Sequence, residues 1–303
     1  MPELPEVETI KNDLAPHLVG QRFTGVKVRW PKLVKQPSPE ELQRRLPGHE
    51  IKSLSRRGKY LIFHLSPPED PLANSPSRTS ESAPLLPRKA GPREPRGIGT
   101  RRTGQALVFH LKMTGQLLYP ATPDRYTSAL FTFQDGSCLV FSDKRRLGAL
   151  WLVPAAELIV GTLGPEPLDA AFNPQTLAHI LARRSAPIKA VLLDQKALAG
   201  VGNLYADEAL FQARLHPLRP AKSLSRQDVK HLHRAIQEVL LKAINNRGST
   251  FSDYRTPDGA SGRHQESFQV AHRKGAPCPR CGTSIQRLAI RNRGSCFCPG
   301  CQR

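Results

Sequence analysis

The stretch MPELPEVETIKNDLAPHL, residues 1–18, holds a fold element and a chemical possibility in the same letters. Val7, Ile10, Leu14 and Leu18 recur at spacings of three and four. That period predicts an amphipathic helix after Pro5, with Glu3, Glu6 and Glu8 at the end where a helix favours acids. Pro16 limits this helix or kinks it. In front stands Pro2, which becomes an N-terminal secondary amine once Met1 is removed, and a proline at position two favours removal. An α-amino group titrates near pH 8 and a lysine near 10.4, so at pH 7 about 10% of the former is free base against ~0.04% of the latter. A secondary amine condensing with a sugar aldehyde gives a charged iminium, an electron sink. Nearby carboxylates can move the protons. The plainer alternative is a proline after an initiator methionine, followed by a helix that opens on acids.

Beyond this helix the period shortens. RFTGVKVRW (22–30), YLIFHL (60–65), ALVFHL (106–111), SALFTF (128–133), SCLVFS (137–142) and GALWLV (148–153) read as short strands bounded by turn residues. Residues 1–155 therefore form a mostly antiparallel β domain that carries the helix. Residues 66–105 interrupt it with eight prolines, seven basic and four acidic residues and no aromatic. Such a segment buries too little apolar surface to offset its ordering entropy, so it reads as a disordered insertion, a spacer more than a DNA tether. From about residue 173 the pattern turns helical: NPQTLAHILARR, PIKAVLLDQKAL, Asn203 to Arg214, and a long helix after Ser225 with Asp228 in a near-capping-box arrangement. That helix buries Val229, Leu232, Ile236, Val239, Leu240 and Ala243 on one face. The divisions expected are 1–155, 156–250 and 251–303.

The 303 residues suffice for two or more domains. Forty-five basic against 25 acidic residues give a formal charge of +20, which calls for a polyanionic partner, nucleic acid before anionic membrane. No 18-residue apolar run and no secretory leader pattern occur, so the chain is expected to be soluble and intracellular, with no membrane partner.

Five of the six cysteines fall between Cys278 and Cys301. Cys278, Cys281, Cys298 and Cys301 form C-x2-C-x16-C-x2-C, a spacing that wraps one tetrahedral Zn2+ with four thiolates and leaves no open position for chemistry. Cys296 breaks the two-residue knuckle and is a spare small residue. Arg287, Arg291 and Arg293 lie within this ribbon, on a hairpin that suits a DNA groove or on a solvated basic face. AGVGNLYADEA (199–209) brings glycines to a helix start, where free N–H groups form an anion site or simply a capped turn. Arg56, Arg57, Lys59, Lys144, Arg145 and Arg146 add basic positions in the β domain. Met113, in HLKMTGQL, is either core or a wedge for a base stack.

Together PELPEVET, RRGKYL, HLKMTGQL, GPEPL (164–168), AGVGNLYADEALF and the terminal four-cysteine finger resemble formamidopyrimidine-DNA glycosylase, bacterial enzymes that remove oxidised purines such as 8-oxoguanine. The resemblance covers nearly all of the chain except 66–105. It implies an α+β multidomain fold: an N-terminal β-sandwich with a helix, a helix–two-turn–helix domain and a C-terminal zinc-ribbon finger, with damaged double-stranded DNA in the cleft. It implies a monomer in the bacterial cytoplasm, associated with the nucleoid. By the same resemblance Pro2 is the nucleophile at C1′, Glu3 the general acid, Glu6 a supporting carboxylate and Lys59 the lysine beside the phosphate. Asn203 and Arg293 are phosphate clamps, Lys189 is a further basic residue of the cleft, and 249–268 is the lesion-capping loop. Reaction would end in β,δ-elimination, the AP-lyase step.

A flipped nucleotide leaves a hole. The family fills it with Met, Arg and Phe, matching Met113, Arg145 and Leu147; the leucine departs from the pattern and loses aromatic stacking on the opposing base. Arg125 and Thr127 stand where histidines are common, which alters a backbone contact, and GRHQESFQV (262–270) is only loosely like the capping loop. Two alternatives remain: an endonuclease VIII-type enzyme for oxidised pyrimidines, whose N-terminus typically reads PEGPE, and a non-catalytic DNA-binding protein on the same scaffold.

Overall fold

The computed structural model describes residues 1–67 and 105–303, so the expectation for the 66–105 insertion lies outside the described residues apart from its ends. Helix α1 runs Leu4–Leu18 and passes through Pro16. The proline removes only the N–H that would reach the Asn12 carbonyl, and Val19 N–H still closes the last turn on Ala15. The following elements are β1 (Phe23–Val28), β2 (Val34–Gln36), α2 (Pro39–Arg45), β3 (Ile51–Arg57), β4 (Tyr60–Leu65), β5 (Gln105–His110), β6 (Gly115–Leu118), β7 (Thr127–Phe133), β8 (Cys138–Asp143) and β9 (Ala149–Val153).

They make two sheets, β1-β7-β8-β6 and β2-β9-β5-β4-β3, antiparallel except for the β2–β9 pair. The inner faces meet in a core of Phe23, Phe63, Phe109, Phe131, Phe133 and Phe141, closed by Val7, Ile10, Leu14 and Leu18 of α1. The apolar runs of β4 and β5 do not alternate with polar residues because both faces of that sheet are covered. Ile62 and Val108 point away from the main core into a second cluster with Val160 of the short helix α3 (Glu157–Val160).

The helical part contains α4 (Pro174–Ala182), α5 (Ile188–Leu192), α6 (Asn203–Gln212) and α7 (Arg226–Asn245). Ser225 caps α7 in a reciprocal box with Asp228, as its sequence predicts. Leu4, the first residue of α1, is buried in the core of this helical part rather than in the sandwich. One helix thus belongs to both cores, and its N-terminus lies at their seam. A hairpin of β10 (Gln286–Ile290) and β11 (Arg293–Phe297) completes the described elements. Arg291 and Asn292 between them both have positive φ, 46° and 61°, the two-residue turn that matches strand twist.

Candidate active site and nucleic-acid interface

Pro2, Glu3 and Glu6 are all buried at the seam. Glu6 Oε2 accepts the Glu3 N–H at 2.8 Å. Its Oε1 accepts the Ser249 N–H at 2.8 Å and the Tyr205 hydroxyl. Burial pushes the Glu6 carboxyl above the ordinary value, nearby Glu3 adds to the rise, and the three donors oppose it. Glu3 has a different environment. Its Oε1 accepts the Leu204 N–H at 3.2 Å, while Oε2 is buried with no partner among the described residues.

The glycines of AGVGN explain this arrangement. The start of α6 receives the Glu3 carboxyl, whose Oε1 takes the free Leu204 N–H of the first turn. A Cβ on Gly202 would lie 2.2–2.6 Å from the Glu3 carboxylate, and one on Gly200, at φ +84°, would meet Leu4. Gly200 also gives its carbonyl to Leu4 N–H at 3.1 Å. The motif is therefore a socket for the N-terminus.

Lys59 sits with Gly58 in the tight β3–β4 turn, and its ammonium makes no hydrogen bond or ion pair among the described residues. Burial lowers its pKa; Glu3 and Glu6 pull it back up, and Arg293 pushes the same way as burial. Arg56 and Arg57 are not free cations of an interface. Arg56 bonds Glu8 and Glu166, each at 2.7 Å, and Arg57 bonds Glu166 at 3.0 Å. Sequence reasoning gave Glu166 no role, yet it also takes the Gly58 N–H and so fixes the Lys59 turn. The missed signal was an acid in GPEPL with two arginines waiting for it.

Lys189 is wholly buried, and its place differs from that of an open cleft cation. Its ammonium lies 2.5 Å from Asp207 and 3.4 Å from the Gly294 carbonyl. Burial lowers the Lys189 pKa and raises that of Asp207, and each partner opposes the effect on the other. Asp207 also accepts from Ser295 Oγ and Cys296 N–H at 2.9 and 3.0 Å. Asn203 is the first residue of α6, after Gly202 at the N-cap. Its Nδ2 donates to the same Gly294 carbonyl at 3.0 Å, and its Oδ1 is buried without a partner among the described residues. Both expected clamps, Asn203 and Arg293, therefore flank Gly294, with Arg293 exposed.

Met113 and Leu147 are large apolar side chains with 43% and 44% exposure, and Arg145 beside Leu147 is exposed too. Buried Asp143 ties their loops together, accepting from Thr114 Oγ1, from Arg145 N–H at 3.2 Å and from Gly148 N–H at 2.7 Å. Arg125 stands elsewhere, its guanidinium 4.7 Å over the Tyr126 ring, with no described contact to the buried cluster.

The Sγ atoms of Cys278, Cys281, Cys298 and Cys301 all lie within 4.8 Å of one another. Four thiolates at this separation fit a tetrahedral Zn2+ with Zn–S near 2.3 Å, so the finger is a site for one structural zinc. Cys296 stays outside the set and packs with Phe211, Val270 and Ile285.

Three family models match the chain: the formamidopyrimidine-DNA glycosylase N-terminal domain over residues 1–150, the corresponding H2TH domain over 163–255, and a zinc finger found in FPG and IleRS over 275–303. The chain belongs to the formamidopyrimidine-DNA glycosylase family. The formamidopyrimidine-DNA glycosylase of Moorella thermoacetica is 42% identical, covering 95% of this chain and 94% of that protein. The MutM (FPG) protein of Thermus thermophilus is 38% identical with a TM-score of 0.80, over 99% of this chain and 98% of its own. A Lactococcus lactis FPG mutant in complex with a Fapy-dG containing DNA is 30% identical with a TM-score of 0.81, over 100% of both chains. Among the described residues no helix is long and apolar enough to cross a membrane.

Proposed function

We propose that this base-excision DNA glycosylase removes oxidised purines, 8-oxoguanine and formamidopyrimidines, from duplex DNA and then cuts the strand by β,δ-elimination. The observation that carries the mechanism is the unequal state of two neighbouring carboxylates. Glu6 is saturated with three donors and acts as a holder. Glu3 keeps one buried oxygen unpartnered beside Pro2 and can give or take a proton.

Met1 must first leave, because a Pro2 nitrogen in a peptide bond has no lone pair to offer. The Pro2 amine then attacks C1′ of a flipped nucleotide, the base departs with the bonding electrons, and Glu3 protonates the ring oxygen so that the sugar opens to an iminium. That iminium accepts the electrons released as the strand-cleaving eliminations proceed. Lys59, Asn203 and Arg293 hold the flanking phosphates, and Met113, Arg145 and Leu147 fill the hole left in the helix. A single chain carries every one of these groups, so the active unit is a monomer.

Borohydride reduction on lesion-containing duplex tests the reading. Intact-mass analysis should find one covalent adduct on protein lacking Met1, and none on protein that retains it. Pro2→Gly should cripple trapping while leaving DNA affinity largely intact. A processed protein that binds lesion DNA without forming an adduct would be a binder only. An oxidised-pyrimidine duplex run in parallel decides between the two lesion classes; faster excision there would favour the endonuclease VIII-type alternative.

A further inference from the structure

The segment after α7 does more than continue from its own domain. Tyr254 is buried in the core of the sandwich, and Pro257 gives its carbonyl to the Tyr119 N–H at 2.8 Å. Arg247 grips Asp13 of α1 through both nitrogens, at 3.0 and 2.9 Å. At the tip of this segment Asp253 reaches Lys144 at 3.1 Å, and its backbone carbonyl accepts from Gln116 Nε2. Lys144 lies between Asp143 and Arg145, and Gln116 lies two residues beyond Thr114. Asp143 and Thr114 are bonded to each other. One residue thus touches the loop that presents Arg145 and Leu147 and the strand β6 that directly follows Met113. The Lys144 ammonium is the largest cause holding the Asp253 carboxyl below its usual value.

We infer that Asp253, through its bridge to Lys144, is a positioning residue that couples the cap over the flipped nucleotide to the wedge loops. Pocket closure and wedge placement then occur as one movement. This rests on the glycosylase reading above. The bridge is half in solvent, with Lys144 51% and Asp253 25% exposed, so its coupling is modest and belongs to the range of exposed ion pairs.

The test compares single-turnover excision of a lesion base with strand cleavage at a preformed abasic site, at saturating enzyme so that affinity drops out. An abasic site has no base to cap. Asp253→Asn leaves the Gln116 bond in place, since that bond falls on the backbone carbonyl. Asp253→Asn and Lys144→Gln should each slow excision about threefold, leave abasic cleavage unchanged, and lose no more when combined than either loses alone. Losses that multiply in the double variant, or equal losses on both substrates, overturn the coupling. Wild-type protein inactive on both substrates overturns the glycosylase reading instead.

Discussion

Gly202 is the residue on which the pocket turns. It has no side chain because the Glu3 carboxylate occupies that volume. Gly202→Ala should push the carboxylate off the Leu204 N–H, and a misplacement near 1 Å is enough to cost on the order of a hundredfold in rate. Borohydride trapping should fall more than tenfold while lesion-duplex affinity holds; unchanged trapping would mean that Glu3 is not held by this helix end. Leu147 offers a second residue-level expectation. It keeps the bulk of a wedge but has no ring to stack, so Leu147→Phe should sharpen discrimination between C and A opposite the lesion. Excision ratios that do not move would refute it.

At the scale of elements, the finger is fastened to the helical part around a buried ion pair of that part: Asp207, paired with Lys189, accepts from Ser295 Oγ and Cys296 N–H of the hairpin, and Lys189 reaches the Gly294 carbonyl. Asp207→Asn leaves the Lys189 ammonium without a counter-charge, at a cost of about 3–5 kcal/mol. Combining Asp207→Asn with Lys189→Met, which keeps an acceptor for Cys296 N–H and removes the unpaired ammonium, should recover part of that, measured by urea denaturation; equal stability of the single and double variants would contradict the pairing. Zinc ligation was legible in spacing alone. Other elements were not. β3 has only Ile51 fully buried and shows no alternation, so it was invisible beside β4. Helix α2 is declared by Ser38, which accepts the Glu41 N–H at 3.1 Å, a short-range cue lost among prolines. The expected helix over PIKAVLLDQKAL stops at Leu192, because Asp194 bonds the Lys196 N–H at 3.0 Å and turns the chain. Within the site, Pro2, Glu3 and Glu6 could be named from the first letters, but Tyr205, Ser249 and Glu166 could not. Their partners lie 199, 243 and about 110 residues away, and no local pattern records that.

For the whole molecule, the buried imidazoles His49, His110 and His264, all lowered by burial, contribute to the response to acid. Burial is the largest cause of holding His110 at about 3 and His264 at about 4, against 6.5 for a free side chain. In the unfolded chain both protonate near 6.5; in the folded chain they resist. Stability from this source is therefore complete above pH 6.5 and falls as pH drops toward 4, because the unfolded state binds the extra protons. The urea midpoint should be lower near pH 5 than near pH 7, and His264→Asn should flatten the difference. A midpoint independent of pH across that window would be the contrary result.

Helix α1 has its first residue in one core and its remaining apolar face in another. A ribosome makes the proposed nucleophile first and its surroundings last. Glu6 receives the Ser249 N–H from 243 residues downstream. At 5–20 residues per second, roughly 12–50 s of synthesis separate the two. Through that interval Glu6 lacks the Ser249 donor, and for most of it the α6 socket and the Tyr205 hydroxyl are missing too. On the proposed mechanism, Pro2 and its acid Glu3 thus emerge long before the groups that hold them in place, and the site is assembled only when most of the chain has been made.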